Sequence, residues 1–172
     1  MITKNYKLYC YARGAGVTTS GLVNALGESI SYYPNNTGGQ ANRGDFGIGL
    51  GAVHVNSISQ TSDSGVRFGR GSTPPTEADY ALEDLITSGL TASASKVIAP
   101  DGSYVEGAYV LMNTSDADIT INEIGYFGKV ANASSSNTGH CVLMERTVFS
   151  EPITIPPGGT ASISYRVDLY NW

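Results

Sequence analysis

The chain has 172 residues, with 10 Lys and Arg against 15 Asp and Glu, and a formal charge of −5. An acidic surface repels phosphate, and Arg43, Arg67, Arg70, Arg146 and Arg166 are scattered rather than gathered into a stripe, so nucleic acid is excluded as a partner. No segment reaches the roughly 20 apolar residues of a membrane span, and residues 1–10 lack the apolar run of a signal peptide, which predicts folding in a cytoplasm.

The apolar fraction of 41% suffices for the core of one domain. The charged fraction is 15%, against about 25% in average proteins. Gly, Ser, Thr and Asn fill the difference, a composition suited to sheets, turns and broad contact surfaces. Residues 5–12 read as a first strand, with Tyr6, Leu8, Cys10 and Ala12 on one face and Lys7, Tyr9 and Tyr11 on the other. A second strand is expected over 28–33, before Pro34. Residues 35–51 are rich in Gly and Asn with no helix or strand period, which predicts a long loop or arm of the kind that is functional in compact domains. Strands follow at 53–58 and 65–69. Pro74 and Pro75 then enforce a turn. Thr76 with Asp79 resembles a capping pair, which predicts a short helical turn over 78–82.

The C-terminal half reads as strands at 90–98, 104–113, 117–127, 141–149, 152–155 and 160–170. They are punctuated by turns at Asp101-Gly102, Asn113-Thr-Ser-Asp116 and Pro156-Pro-Gly-Gly159. The last strand alternates: Ala161, Ile163, Tyr165, Val167 and Leu169 face one side, and Ser162, Ser164, Arg166 and Asp168 the other, the mark of an antiparallel sheet with one buried face. The expected fold class is all-β, an antiparallel β-sandwich of Ig-like or jelly-roll type with a long Gly/Asn-rich loop or arm. Residues 1–62 form an N-terminal β segment bearing the arm, and 63–172 the sandwich.

Three pieces share a resemblance. They are Phe68-Gly-Arg-Gly-Ser-Thr-Pro-Pro-Thr-Glu-Ala-Asp-Tyr-Ala-Leu-Glu-Asp-Leu-Ile86, Ile119-Thr-Ile-Asn-Glu-Ile-Gly-Tyr-Phe127, and Leu143-Met-Glu-Arg-Thr-Val-Phe-Ser-Glu-Pro-Ile-Thr-Ile-Pro-Pro-Gly-Gly-Thr160. In order and spacing they resemble a module of tailed-phage and prophage virion proteins, over residues 65–170. The resemblance implies a structural role in the virion, with no cofactor. It also implies partners that are other copies of the chain, a trimer being the first expectation, and other virion proteins.

Glu123 is out of phase. Ile119 and Ile121 share a face that alternation would extend to Glu123, yet Ile124 and Tyr126 take the opposite parity, so either a bulge shifts the register or Glu123 points inward. The recurrence of the two motifs in the resembling family implies an ion pair between Glu123 and Arg146; the alternative is that both are solvated. Cys10 and Cys141 read as two small buried side chains, with a bridge between them as the alternative. Together with His54 and His140 they lack the paired short spacing of a zinc site, and no metal is expected. Glu77, Asp79, Glu83 and Asp84 read as a solvated acidic face, since a glycosidase needs two carboxyls facing each other across a sugar. No phosphate loop follows Gly65–Gly71, and no serine sits in a nucleophile elbow. Of 11 tyrosines, Tyr32, Tyr33 and Tyr170, with Trp172, lie beside loops or termini and are the candidates for subunit contacts. The expected function is a non-enzymatic virion component, decorating the capsid or belonging to the tail, baseplate or fibre. The alternative is a carbohydrate-binding module for host glycans.

Overall fold

The computed structural model describes residues 1–17, 19–32, 64–98, 103–131 and 139–168. The molecule is an all-β antiparallel sandwich with one short helix. In chain order come α1 (Lys4–Ala15), β1 (Thr19–Val23), β2 (Ser29–Tyr32), β3 (Gly65–Gly69), β4 (Leu90–Ile98), β5 (Tyr104–Asn113), β6 (Ile119–Ala131), β7 (Gly139–Ile155) and β8 (Thr160–Asp168). One sheet has the order β3-β6-β7 and the other β4-β5-β8, while β1 and β2 make a separate hairpin. The chain therefore crosses between the two sheets after β3, β5 and β7.

Period-two burial builds the core. Val66 and Phe68 of β3, Ile124 and Tyr126 of β6, Tyr109 and Leu111 of β5, and Ile163 and Tyr165 of β8 belong to one buried cluster. Phe68 meets Tyr109 edge-on across the sandwich, with ring centroids 5.9 Å apart, a geometry that aligns the ring quadrupoles. Tyr109 is held in the un-ionised phenol form by burial and then by the neighbouring Tyr126 hydroxyl.

The expected first strand is a helix. Asn5, Tyr9 and Ala12 are its buried positions, a spacing of four and three that belongs to a helix face; the alternation of Tyr6, Leu8, Cys10 and Ala12 is incidental. Gly16, at φ 64°, ends the helix in the left-handed conformation and closes its N–H onto the Ala12 carbonyl. Tertiary contacts decide the outcome. The segment ahead of the helix bridges β7 at Ile2 and Glu145, and Thr3 N donates to Met144 O at 2.9 Å. The Thr3 hydroxyl is drawn to the Leu143 carbonyl at 2.7 Å instead of capping the helix. Asn5 then binds Val23 on both sides of its backbone, at 2.8 and 2.9 Å, which pins β1 beside the helix. The free edge of β7 is thereby partly covered, as exposed edges in natural sheets usually are.

Two expected strands, 141–149 and 152–155, are one 17-residue strand, β7. It carries Pro152 because the pairing with β6 jumps there, from Ile121 opposite Ile153 to Glu123 opposite Val148. A proline is tolerated where the ladder is interrupted. The turns at 113–116 and 156–159 are interlocked: Asn113 N donates to Gly159 O at 3.0 Å and Gly158 N to Asn113 O at 2.9 Å. The arm at 35–51, the strand at 53–58 and the Asp101-Gly102 turn lie outside the described residues.

Candidate functional site

Between β3 and β4 the chain leaves the sheet at residue 70 and returns at 84. Its neck is closed by Arg70 N to Asp84 O at 2.8 Å and Ile86 N to Phe68 O at 2.9 Å, so residues 70–84 form a closed loop of Ω type. No helix forms over 78–82; Thr76 instead clasps Asp79 through its amide at 3.0 Å and its hydroxyl at 2.8 Å. The expected capping pair makes a tight turn because the loop is tethered from beneath.

The tether is Glu123. It lies on the outer face of β6, paired with Gly69 of β3, and is fully buried. One of the two register shifts of β6 against β7 falls between Ile121 and Glu123, so the bulge turns Glu123 away from the sandwich core, and the loop buries it on the outer face. Oε1 accepts from Gly71 N at 3.1 Å and Asp84 N at 3.0 Å; Oε2 accepts from Glu83 N at 3.3 Å and Arg146 Nε at 2.7 Å. Four donors saturate a carboxylate's acceptor sites. The close approach needs glycine on the sheet and on the loop, since a Cβ at Gly69 would stand 2.3 Å from Oε1, and one at Gly71 2.6 Å.

Arg146, on β7, is nearly as buried as its partner. Its Nη1 donates to Asp79 Oδ2 at 2.8 Å, and Nη2 lies 3.5 Å from Glu83 Oε2, an ion-pair distance. Burial pulls the guanidinium's pKa down, but its hydrogen bonds to Asp79 and Glu123 outweigh this and hold it firmly charged. For Asp79 burial acts upward, while Arg146 and the two Thr76 groups outweigh it and hold the carboxyl below the ordinary aspartate value. Glu83 is lowered chiefly by the amide and hydroxyl of Thr73.

The structure thus brings Glu123 and Arg146 together and adds Asp79, which sequence reasoning left on a solvated face. Glu77 and Asp84 do stay exposed, facing Lys7 and Arg70 respectively. The signal for Asp79 was its spacing from Thr76, which bends the loop so that its carboxylate reaches back to the sheet. Beneath the loop, Leu82 packs with Phe127 and Leu143, and the Arg67 guanidinium stands 4.4 Å over the Phe127 ring.

Other expectations need correction. Tyr32 is a core residue, 5% exposed, with its ring 5.0 Å from that of Tyr9, so it cannot serve as a subunit contact without unpacking the hairpin. Tyr33, Tyr170 and Trp172 lie outside the described residues, as does His54. Cys141 is buried but Cys10 is exposed on α1, and no disulfide joins them; moving residues 5–12 from strand to helix turned Cys10 outward. Among the described residues no group of three His, Cys, Asp or Glu stands where it could hold a metal ion, and no helix is long and apolar enough to cross a membrane.

Comparison with known proteins found no matching family model, curated protein or solved structure. The site is therefore read on its geometry: a carboxylate with every acceptor position filled, a guanidinium shared among three carboxylates, and a loop held by both.

Proposed function

We propose that this chain is a non-enzymatic structural component of a phage virion, a capsid decoration or a tail, baseplate or fibre-associated protein, and that it acts through self-assembly. One observation carries the reading. The three segments that resemble the virion module converge on one device: residues 68–86 supply the loop amides of Gly71, Glu83 and Asp84 with the Asp79 carboxylate, 119–127 supply Glu123, and 143–160 supply Arg146. Residues that recur together in a family need a shared physical reason, and a loop tethered to two strands is one.

The chemistry of the device favours architecture over turnover. A general base needs a free lone pair aimed at a substrate proton, and those of Glu123 are occupied by donors of its own chain. A saturated buried pair contributes less to net stability than to the choice of one register and one loop path, because desolvation offsets much of the Coulomb attraction. Fixing a loop path is what a repeated subunit requires of the surface it shows its neighbours. The partners of this reading are further copies of the chain and other virion proteins.

Native mass spectrometry of the purified protein tests it. The expected species is a defined homo-oligomer, with a trimer as the first expectation. A strict monomer at every concentration, with reproducible glycan binding on an array, would move the assignment to a carbohydrate-binding module.

A further inference from the structure

The sheet β4-β5-β8 buries one face against the core and turns the other outward. Register places three uncharged rungs on that outer face: Thr91, Met112 and Thr160; Ser93, Val110 and Ser162; Ser95, Ala108 and Ser164. Val110 is 49% exposed and Met112 41%, an unusual position for apolar side chains on the central strand of a three-stranded sheet. A shallow depression of about 280 Å³ lies over the Val110 rung. Charge returns only with the next rung, where Glu106 pairs with Arg166.

We infer that this face is a contact between copies of the chain, two copies packing sheet on sheet through Val110 and Met112 about a two-fold axis. The inference rests on the self-assembly reading above and names the surface it would use. Two arguments select a second copy as the occupant. The chain carries a formal charge of −5, so like copies repel over most orientations, and they meet with least repulsion where neither carries charge. An uncharged face with an apolar centre and a hydroxyl rim is also complementary to itself, as an isologous contact requires, and its short side chains let two sheets close to about 10 Å.

The area sets the strength. Three strands about 4.8 Å apart, with about five residues each at about 3.4 Å across the uncharged rungs, give roughly 240 Å² per copy. Stable interfaces bury about 800 Å² per partner. Isolated copies therefore pair weakly through this face alone, and the contact becomes durable where symmetry repeats it. Combined with a trimer formed elsewhere on the surface, it joins two trimers face to face.

Val110 occupies the middle rung of the middle strand, so any two-fold axis that maps the face onto itself brings the two Val110 side chains close together. The test uses the full chain with the exposed thiol removed by Cys10→Ser. Val110→Cys is compared with Glu151→Cys, an exposed position on β7, for the rate of intermolecular disulfide formation under mild oxidant. The inference expects the Val110→Cys dimer to form at least about tenfold faster, through the effective concentration the contact supplies. It also expects Val110→Lys to shift sedimentation toward the smaller species at equal concentration with an unchanged circular-dichroism spectrum. Equal cross-linking rates at the two positions would overturn it. If native mass spectrometry still shows an oligomer in that case, only the face is wrong and the self-assembly reading stands; a monomer throughout sinks both.

Discussion

Replacing Glu123 with Gln tests the tether most sharply, because shape is kept while charge and one acceptor are lost. The carboxylate receives two donors on each oxygen. An amide can turn its oxygen to only one pair, so its NH₂ must face either Gly71 and Asp84 or Glu83 and Arg146, donor against donor. Each unsatisfied buried group costs about 1–3 kcal/mol, and breaking a buried ion pair from one side costs about 3–5 kcal/mol. The expected loss is therefore about 3–5 kcal/mol, a large share of the roughly 5–15 kcal/mol that holds a domain folded. Denaturant unfolding measures it, as a lower midpoint at unchanged slope. Arg146→Met should cost a similar amount, and the double variant about 2–3 kcal/mol less than the sum of the singles, a coupling expected of groups in contact. Single losses under about 1 kcal/mol that add without coupling would refute the tether and return both residues to a solvated surface.

Further outcomes follow from the same geometry. Glu123→Ala leaves three backbone N–H groups and a guanidinium around a vacated site, so formate or acetate should raise the melting temperature of that variant and not of the wild type, by mass action on the folded state; equal shifts in both proteins would argue against it. Gly69→Ala places a methyl where Oε1 stands and should cost about 2–4 kcal/mol through overpacking and displaced hydrogen bonds, read from thermal unfolding. Asp79 has a folded pKa below its unfolded value, so its contribution is present above about pH 4 and lost as pH falls through the folded value; Asp79→Asn should flatten the acid limb of stability against pH, and an unchanged limb would contradict the pairing. Tyr6 and Tyr109 are raised, first by burial and then by neighbouring Cys10 or tyrosine groups. The stability they lend is present below about pH 10 and lost as pH rises beyond it, so ultraviolet titration should show two tyrosines ionising only as the chain unfolds.

The sandwich was legible because its strands alternate. Ser162 and Ser164 against Ile163 and Tyr165 assign the faces of β8 without any structure, and burial follows that assignment. Gly65–Gly69 was legible as a strand, although all five of its residues are buried, since covering by the loop adds to burial without altering extended backbone. Glu123 was legible as an anomaly of phase, and its partner only through the resemblance; nothing local says that three amides from 52 to 39 residues upstream converge on it. The helix at Lys4–Ala15 was not legible, because Tyr6, Leu8, Cys10 and Ala12 fit a period of two as readily as Asn5, Tyr9 and Ala12 fit a helix, and docking on β7 chose between them. The continuity of β7 through Pro152 was hidden for a related reason: proline ends a regular ladder, and only the pairing partner reveals that the ladder is already broken there. The outer face of β4-β5-β8 was written in the alternating small residues of 91–95 and 160–164, but its bareness appears only once the third strand, with Val110 and Met112, is set between them.

The most direct test of the account is a protein inventory of density-purified particles released by cells that make this chain from its native gene neighbourhood. The account predicts the intact chain in those particles, at a copy number that is a fixed multiple set by symmetry, and its loss from them in the Glu123→Gln variant. Particles that are complete and infectious with the chain absent, or present only in trace, would contradict it.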